Sequence, residues 1–322
     1  VILRYANTAT ETIAGSLAGG ITTGTTSVLD YPSGTSCVAL YEFESNGDST
    51  SSASNNQTTV GTLTYSAGNF NNAVSGFSGS NYFATSGLIS TLLGSTAAKS
   101  FTMSAWIKTT DNGAEQHIAG NSPYSSGSGA IMYVNSDKLY FAVSAGGSNG
   151  GNGGAGAPFA YTDQIVADNT WHHVAVTYTS DGTTSGSARG VLGLFVDGVN
   201  VTSSATFTQS GSSWTNGEAN PWTTYTDNFF RTGRGDGTGN PFDGAIDQLR
   251  IFQSVLSDNQ IAMLYAENVG ATKFTESSDT VLVFKGGSGT INLTDTSLPG
   301  PKVGDLRTNT DQSSAGSASA ME

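Results

Sequence analysis

The stretch FTMSAWIKT, residues 101–109, alternates along its length: Phe101, Met103, Ala105 and Ile107 fall on one side, Thr102, Ser104, Trp106 and Lys108 on the other. A period of two predicts a half-buried strand. Similar short patterns recur at VALYEF (38–43), TLTYS (62–66), NYFAT (81–85), HIAGN (117–121), AIMYV (130–134), KLYFAVS (138–144), WHHVAVTYTS (171–180) and DNFFRTG (227–233). NSD at 135–137 predicts a turn between two of them. In VLGLFVDGVNVT (191–202), Asp197-Gly198 between apolar runs predicts a tight hairpin. One segment breaks the rule. SDNQIAMLYAEN (257–268) carries Ser257 three residues before Gln260, a capping box, and Ile261, Leu264 and Tyr265 form a helical apolar face. Many short strands with a single late helix predict an all-β sandwich or barrel.

FDGAIDQLRIF, 242–252, places an acid inside an apolar run. Strict alternation puts Asp247 in line with Ala245, Leu249 and Ile251, at the edge of a core. A carboxylate there needs backbone N–H groups, a cation or water. Beyond the strands, residues 1–36 are rich in Thr, Gly, Ala and Ser and predict an extended arm. TVLVFKGGSGTINLT (280–294) predicts a hairpin about GGSG, and 295–322 a polar tail ordered by a partner. The expected organisation is an arm (1–36), a β-domain (37–270) and a C-terminal hairpin with tail (271–322).

Composition narrows the classes. Of 322 residues, 11% are charged, the net charge is −13, and only 12 are Lys or Arg. That balance argues against nucleic acid and anionic membranes as partners. No apolar run reaches the roughly 20 residues that span a bilayer. The single cysteine, Cys37, permits no intrachain disulfide and is expected to be a buried thiol. No leader pattern precedes the strands. The polar, weakly charged surface suits secreted or virion β-proteins.

Candidate chemistry is sparse. Glu42 and Glu44 share a strand face but lack the alternating acids of a glycosidase strand, so no catalytic residues are expected. His172 and His173 are consecutive and must point to opposite faces, and His117 stands alone. The glycines of 144–161 lack the strand-to-helix setting of a phosphate loop. Arg234-Gly235-Asp236 fits a tight polar loop. The segment 203–228 brings Trp214, Trp222, Tyr225 and Asp227 into a polar setting. Either these residues bind sugar, with rings against apolar sugar faces and polar groups on hydroxyls, or they pin the loop onto its own domain or a neighbouring subunit.

Taken in order, VALYEFESNGD, SGFSGSNYFAT, FTMSAWIKT, WHHVAVTYTSDG, LGLFVDGVNV and FDGAIDQLRIFQSVLSDNQIAMLY resemble the laminin G-like, concanavalin A-like jelly-roll domains, over residues 37–269. The resemblance implies a β-sandwich with His173 packed in the structure. It also implies one structural Ca²⁺, for which the matching positions are Asp48 and Asp247 with nearby carbonyls. VGDLRTNTDQSSAGSASAME resembles C-terminal segments of structural proteins from marine tailed phages. Together these imply a non-enzymatic virion surface protein, a capsid decoration, spike or tail fibre. Its partners would be other virion proteins, copies of itself as a trimer, and a host glycan. The alternative is a secreted or cell-surface carbohydrate-binding adhesin, and a glycosidase is the least favoured reading.

Overall fold

The fold comes from a computed structural model, which describes residues 2–6, 11–14, 37–50, 55–85, 99–110, 113–121, 129–144, 158–182, 190–209, 212–213, 215–217, 230–235, 239–266, 271–276, 279–284 and 292–295. The strands begin with β1 (Ile2–Ala6), β2 (Glu11–Ala14), β3 (Cys37–Tyr41), β4 (Thr58–Val60), β5 (Thr64–Ala67), β6 (Asn72–Ser75) and β7 (Tyr82–Thr85). The central strands follow: β8 (Phe101–Thr109), β9 (Gln116–Gly120), β10 (Gly129–Asn135), β11 (Lys138–Ser144), β12 (Pro158–Ile165), β13 (His172–Ser180) and β14 (Gly190–Val196). Next are β15 (Val199–Asn200), β16 (Thr206–Gln209), β17 (Ser212–Ser213), β18 (Phe230–Thr232) and β19 (Gly244–Phe252), then helix α1 (Asp258–Ala266). The last three are β20 (Ala271–Glu276), β21 (Asp279–Phe284) and β22 (Asn292–Asp295).

Two antiparallel sheets make the sandwich that the alternation predicts. One has nine strands, β17-β16-β12-β11-β10-β9-β18-β7-β4; the other has eight, with β15-β14-β13-β8-β19-β6-β5 in line and β3 also on β19. Between them lies one continuous apolar core that includes Phe101, Met103, Ala105 and Ile107 of β8. The two tight turns are left-handed, as a right-twisted hairpin requires: Asp197 has φ 49° and Gly198 φ 76°, while Ser136 and Asp137 have φ 48° and 68°. Cys37 is buried.

β19 corrects the reading of Asp247. Opposite β8, Ile246 faces Ile107 and Asp247 faces Trp106, but Arg250 then faces Ser104. One extra residue is inserted, a β-bulge, and Gln248 takes it up at φ 49°. Ile246, Leu249 and Ile251 all reach the core. Asp247 therefore shares the opposite face with Trp106 rather than lining up with Leu249 and Ile251.

The outer rim of β14 is closed by side chains. Asn216 accepts from Leu192 N–H (2.8 Å) and donates to Leu192 C=O (2.8 Å). Thr202 Oγ1 accepts from Leu194 N–H at 3.0 Å, and Val201 N–H donates to Leu194 C=O. Unpaired strand backbone is thereby satisfied.

By its internal contacts the chain divides into residues 27–261 and a second unit of residues 1–26 with 262–322. In the second unit β1 pairs with β21, β21 with β20, and β2 with β22. The C-terminal hairpin turns between Glu276 and Asp279, not at GGSG: β21 is already committed on both sides, to β20 and β1. The arm is thus stranded against C-terminal partners from the same chain.

The capping box forms as predicted: Ser257 N–H donates to Gln260 Oε1 (2.8 Å), and Gln260 N–H to Ser257 Oγ (3.3 Å). Ser257→Ala is expected to lower stability by about 1 kcal/mol, read from the urea midpoint. An unchanged midpoint would mean the helix is held by packing alone.

Candidate functional site

The nine-stranded sheet turns Met132, Val134, Leu139, Phe141, Val143 and Ala160 into the core. Alternation therefore sends Tyr133, Tyr140 and Tyr161 to its other face. Pairing aligns them: His117 lies opposite Tyr133, Tyr133 opposite Tyr140, Tyr140 opposite Tyr161 and Tyr161 opposite Thr206. The result is one row across five strands. Ring centroids are 5.7 Å apart from His117 to Tyr133, 5.0 Å to Tyr140 and 4.8 Å on to Tyr161. These follow the roughly 4.8 Å between neighbouring strands. Phe159 stands beside the row, 6.0 Å from Tyr140. Lys138 Nζ lies 5.6 Å from the Tyr161 centroid and donates to Asp163 at 3.2 Å.

The row sinks from one end to the other. Thr206 is exposed, Tyr161 and Tyr140 are half-buried, and Tyr133 and His117 are buried. Burial pushes the Tyr140 phenol above its usual pKa, helped by Tyr161 and the charge of Glu115. Its hydroxyl stays protonated at neutral pH and can both donate and accept.

At the buried end, three consecutive polar residues are taken out of water: Glu115, Gln116 and His117. Gln116 Oε1 accepts from Thr109 Oγ1 (2.8 Å) and Asp243 N–H (3.0 Å), and its Nε2 donates to Thr110 C=O (2.9 Å). His117 N–H donates to Asn240 C=O (3.1 Å), and its Nε2 pairs with Glu115 Oε1. Asn240 Nδ2 lies 3.3 Å from that same ring nitrogen. Beside them opens a pocket of about 270 Å³ lined by Phe77, Ala114, Glu115, Asn240, Pro241, Phe242 and Asp243. Nothing in the local sequence marks this site. HIAGN reads as an ordinary strand, and the tyrosines come from three separate segments.

The sequence-predicted residues divide. Trp214, Trp222, Tyr225 and Asp227 lie outside the described residues. Asp48 is exposed, and its Oδ2 accepts from Asn46 Nδ2 (2.7 Å). Asp247 is fully buried. Its Oδ2 accepts from Phe70 N–H (2.8 Å), which latches the turn between β5 and β6, while its Oδ1 is buried without a hydrogen bond. The acid whose charge acts on Asp247 is Glu44, itself bonded to Asn71 Nδ2 and Asn72 N–H. Glu42 accepts from Thr50 Oγ1 (2.6 Å). Among the described residues, no three Asp, Glu, His or Cys side chains cluster as metal ligands.

The histidines do face oppositely. His173 packs on Trp106, with centroids 5.4 Å apart, and burial with the Arg250 charge lowers it to about 3, so it is neutral. His172 bridges Asp197 (2.8 Å) and Asp168 (3.1 Å), and its pKa is raised, chiefly by the hydrogen bond to Asp197. Arg234 of the RGD tripeptide is buried, donates to Gly79 C=O and lies over the Tyr82 ring at 4.2 Å. It serves packing.

Burial, then the nearby Glu44 charge, raises Asp247 to about 7 against the pull of the Phe70 hydrogen bond and the neighbouring Asn69 and Gln248 backbone N–H groups. A carboxyl raised on folding stabilises the fold where it is protonated, and that contribution is lost as pH rises through about 7. Without divalent cations, stability is expected to drop by roughly 2–4 kcal/mol between pH 4 and pH 8. Asp247→Asn should flatten this slope in urea titrations. An equal slope in the variant would remove Asp247 as its source.

The sequence profile of the concanavalin A-like lectin/glucanases superfamily matches residues 77–262. No curated protein matches the chain. Among solved structures, domain 4 of AbnA, a GH43 extracellular arabinanase from Geobacillus stearothermophilus, in complex with arabinotriose, is similar at TM-score 0.46 and 16% identity. That match covers 71% of this chain and 98% of that one. The binding domain of Paraclostridial Mosquitocidal Protein 1 gives TM-score 0.47 and 13% identity over 73% of this chain and 53% of that one. The binding domain of botulinum neurotoxin DC, in complex with SialylT, gives 0.46 and 14% over 71% and 50%. The chain thus spans about half the length of these toxin domains. At such identities the likeness is one of fold alone.

Proposed function

This chain belongs to the concanavalin A-like lectin/glucanases superfamily, and we propose that its jelly-roll domain is a non-catalytic, lectin-like module that binds a glycan along the aromatic row. The observation that carries this reading is the register that sets His117, Tyr133, Tyr140 and Tyr161 side by side across four adjacent strands. Stacked on each other and half-buried, Tyr140 and Tyr161 offer ring carbon and phenolic hydroxyls, and Thr206, Lys138 and Asp163 flank them. Sugars need that mixture: carbon faces meet rings while hydroxyls meet polar groups. Binding rather than hydrolysis is supported by the sequence, in which Glu42 and Glu44 lack the alternating acids of a glycosidase strand.

We assign the display of this module to a virion surface, as a capsid decoration, spike or tail fibre that also contacts other virion proteins and its own copies. The support is the resemblance of the segment VGDLRTNTDQSSAGSASAME to C-terminal segments of phage structural proteins. A secreted or cell-surface adhesin is the alternative, and the same glycan site would serve it.

A glycan array probed with the wild-type chain should return ligands that Tyr140→Ala loses, with binding reduced about tenfold or more. Binding unaffected by Tyr140→Ala, or no binding by the wild type, would overturn the reading.

We further propose a structural calcium ion at the Asp247 corner. A buried carboxylate oxygen without a hydrogen bond is what a cation would satisfy. Asp247 would hold it with carbonyls of the turn, while Asp48 is engaged by Asn46 and Glu44 by Asn71 and Asn72. Calcium should raise the melting temperature, more at pH 8 than at pH 5, because the ion competes with the Asp247 proton. No shift with chelator at pH 8 would remove the ion.

A further inference from the structure

The aromatic row has a closed end. At β9 the chain crosses over His117: Gly235 packs so tightly on the ring that a Cβ there would come within 2.0 Å of Nδ1. Asn240 takes the His117 N–H on its carbonyl and sets its Nδ2 3.3 Å from Nε2. A ligand lying along Tyr161 and Tyr140 toward β9 therefore meets a wall. The pocket lies at that wall, and Glu115 belongs to both places. Its carboxylate lines the pocket and pairs with His117 Nε2 at the end of the row.

The pocket is held rigid. Asp243 N–H and C=O are both bonded, to Gln116 Oε1 and Thr109 Oγ1 (2.6 Å), and Phe242 N–H donates to Gly233 C=O (3.0 Å). Asn240 sits at φ 58°, an uncommon conformation for a residue other than glycine, fixed by the same contacts. Its walls combine Phe77, Phe242 and Pro241 with acceptors from Glu115 and Asn240. At about 270 Å³ it is near the small end of ligand pockets, a size suited to one sugar residue.

We infer that this pocket seats the terminal residue of the glycan bound along the aromatic row, so that the module recognises a chain end and selects an uncharged sugar there. The inference rests on the glycan reading above. Glu115 accepts hydroxyl protons of the terminal residue, Asn240 supplies an amide, and the ring of the sugar lies against Phe242 and Pro241. An acidic terminal sugar would set its carboxylate against Glu115 and Asp243 in a partly dehydrated site, which like charges disfavour.

The test uses the full chain and neutral oligosaccharides that the wild type binds on the array. Each is presented by its reducing end, with the other end bare or capped by sialic acid. Wild type is expected to bind the bare chains and lose roughly tenfold or more on the capped ones. Glu115→Gln should weaken bare-chain binding roughly tenfold and narrow the gap between bare and capped chains. Circular dichroism and a melting curve confirm that the variant is folded, and Glu115→Asp should recover part of the affinity. Equal binding of bare and capped chains by the wild type, with Tyr140→Ala still destructive, overturns the chain-end inference and leaves the row as the site. Equal bare-chain affinity in a folded Glu115→Gln variant overturns it as well. No binding of any glycan by the wild type overturns both.

Discussion

Parity on β19 is the constraint that the sandwich depends on. This strand lies between β8 on one side and β3 with β6 on the other, near the centre of the eight-stranded sheet. It must send Ile246, Leu249 and Ile251 into one core, although the first two are separated by an odd number of positions. A regular strand cannot do that, because successive side chains alternate. One inserted residue resolves the conflict, at the cost of an unfavourable φ at Gln248. The same insertion turns Asp247 outward, where it latches the turn before β6 through Phe70. Closure of the sheet and capture of that turn are one event.

A second irregularity does similar work in the other sheet. β9 carries an extra residue opposite Met132 and Tyr133, so Ala119 faces Met132 while His117 faces Tyr133. Ile118 and Ala119 both reach the core. His117 is thereby delivered to the outer face, in line with the tyrosines. The buried Gln116 then has both ends of its amide bonded to backbone or hydroxyl groups of facing segments. A satisfied buried amide is rigidifying, and a half-satisfied one would be expensive. The polar cluster fixes the geometry next to which a ligand would settle.

Whatever depends on near neighbours in the chain was legible beforehand. The alternation of β8, the left-handed Asp197-Gly198 turn and the Ser257–Gln260 cap are each contained in a dozen residues or fewer, and their physics is local. The superfamily was legible as well, because its landmarks occur in order. The bulges were not, since an extra residue is defined only against a partner strand. Strict alternation therefore misplaced Asp247. The row of rings was invisible for a related reason. Tyr133, Tyr140 and Tyr161 meet only through register, and Glu115 acquires its meaning from Asn240, more than a hundred positions away. The C-terminal hairpin turned earlier than GGSG suggested because β21 pairs on both sides.

The outer rim of β14 has a consequence for crowding. Leu192 and Leu194 hold their amide groups against Asn216 and Thr202 rather than presenting them to solvent. A second molecule approaching that rim finds no ladder to extend. Two copies brought together at that rim would therefore not fuse there into a continuous sheet. On the proposed reading, each copy would keep its aromatic row as a separate contact. Weak individual contacts multiplied over several copies give firm attachment that can still be shed one contact at a time.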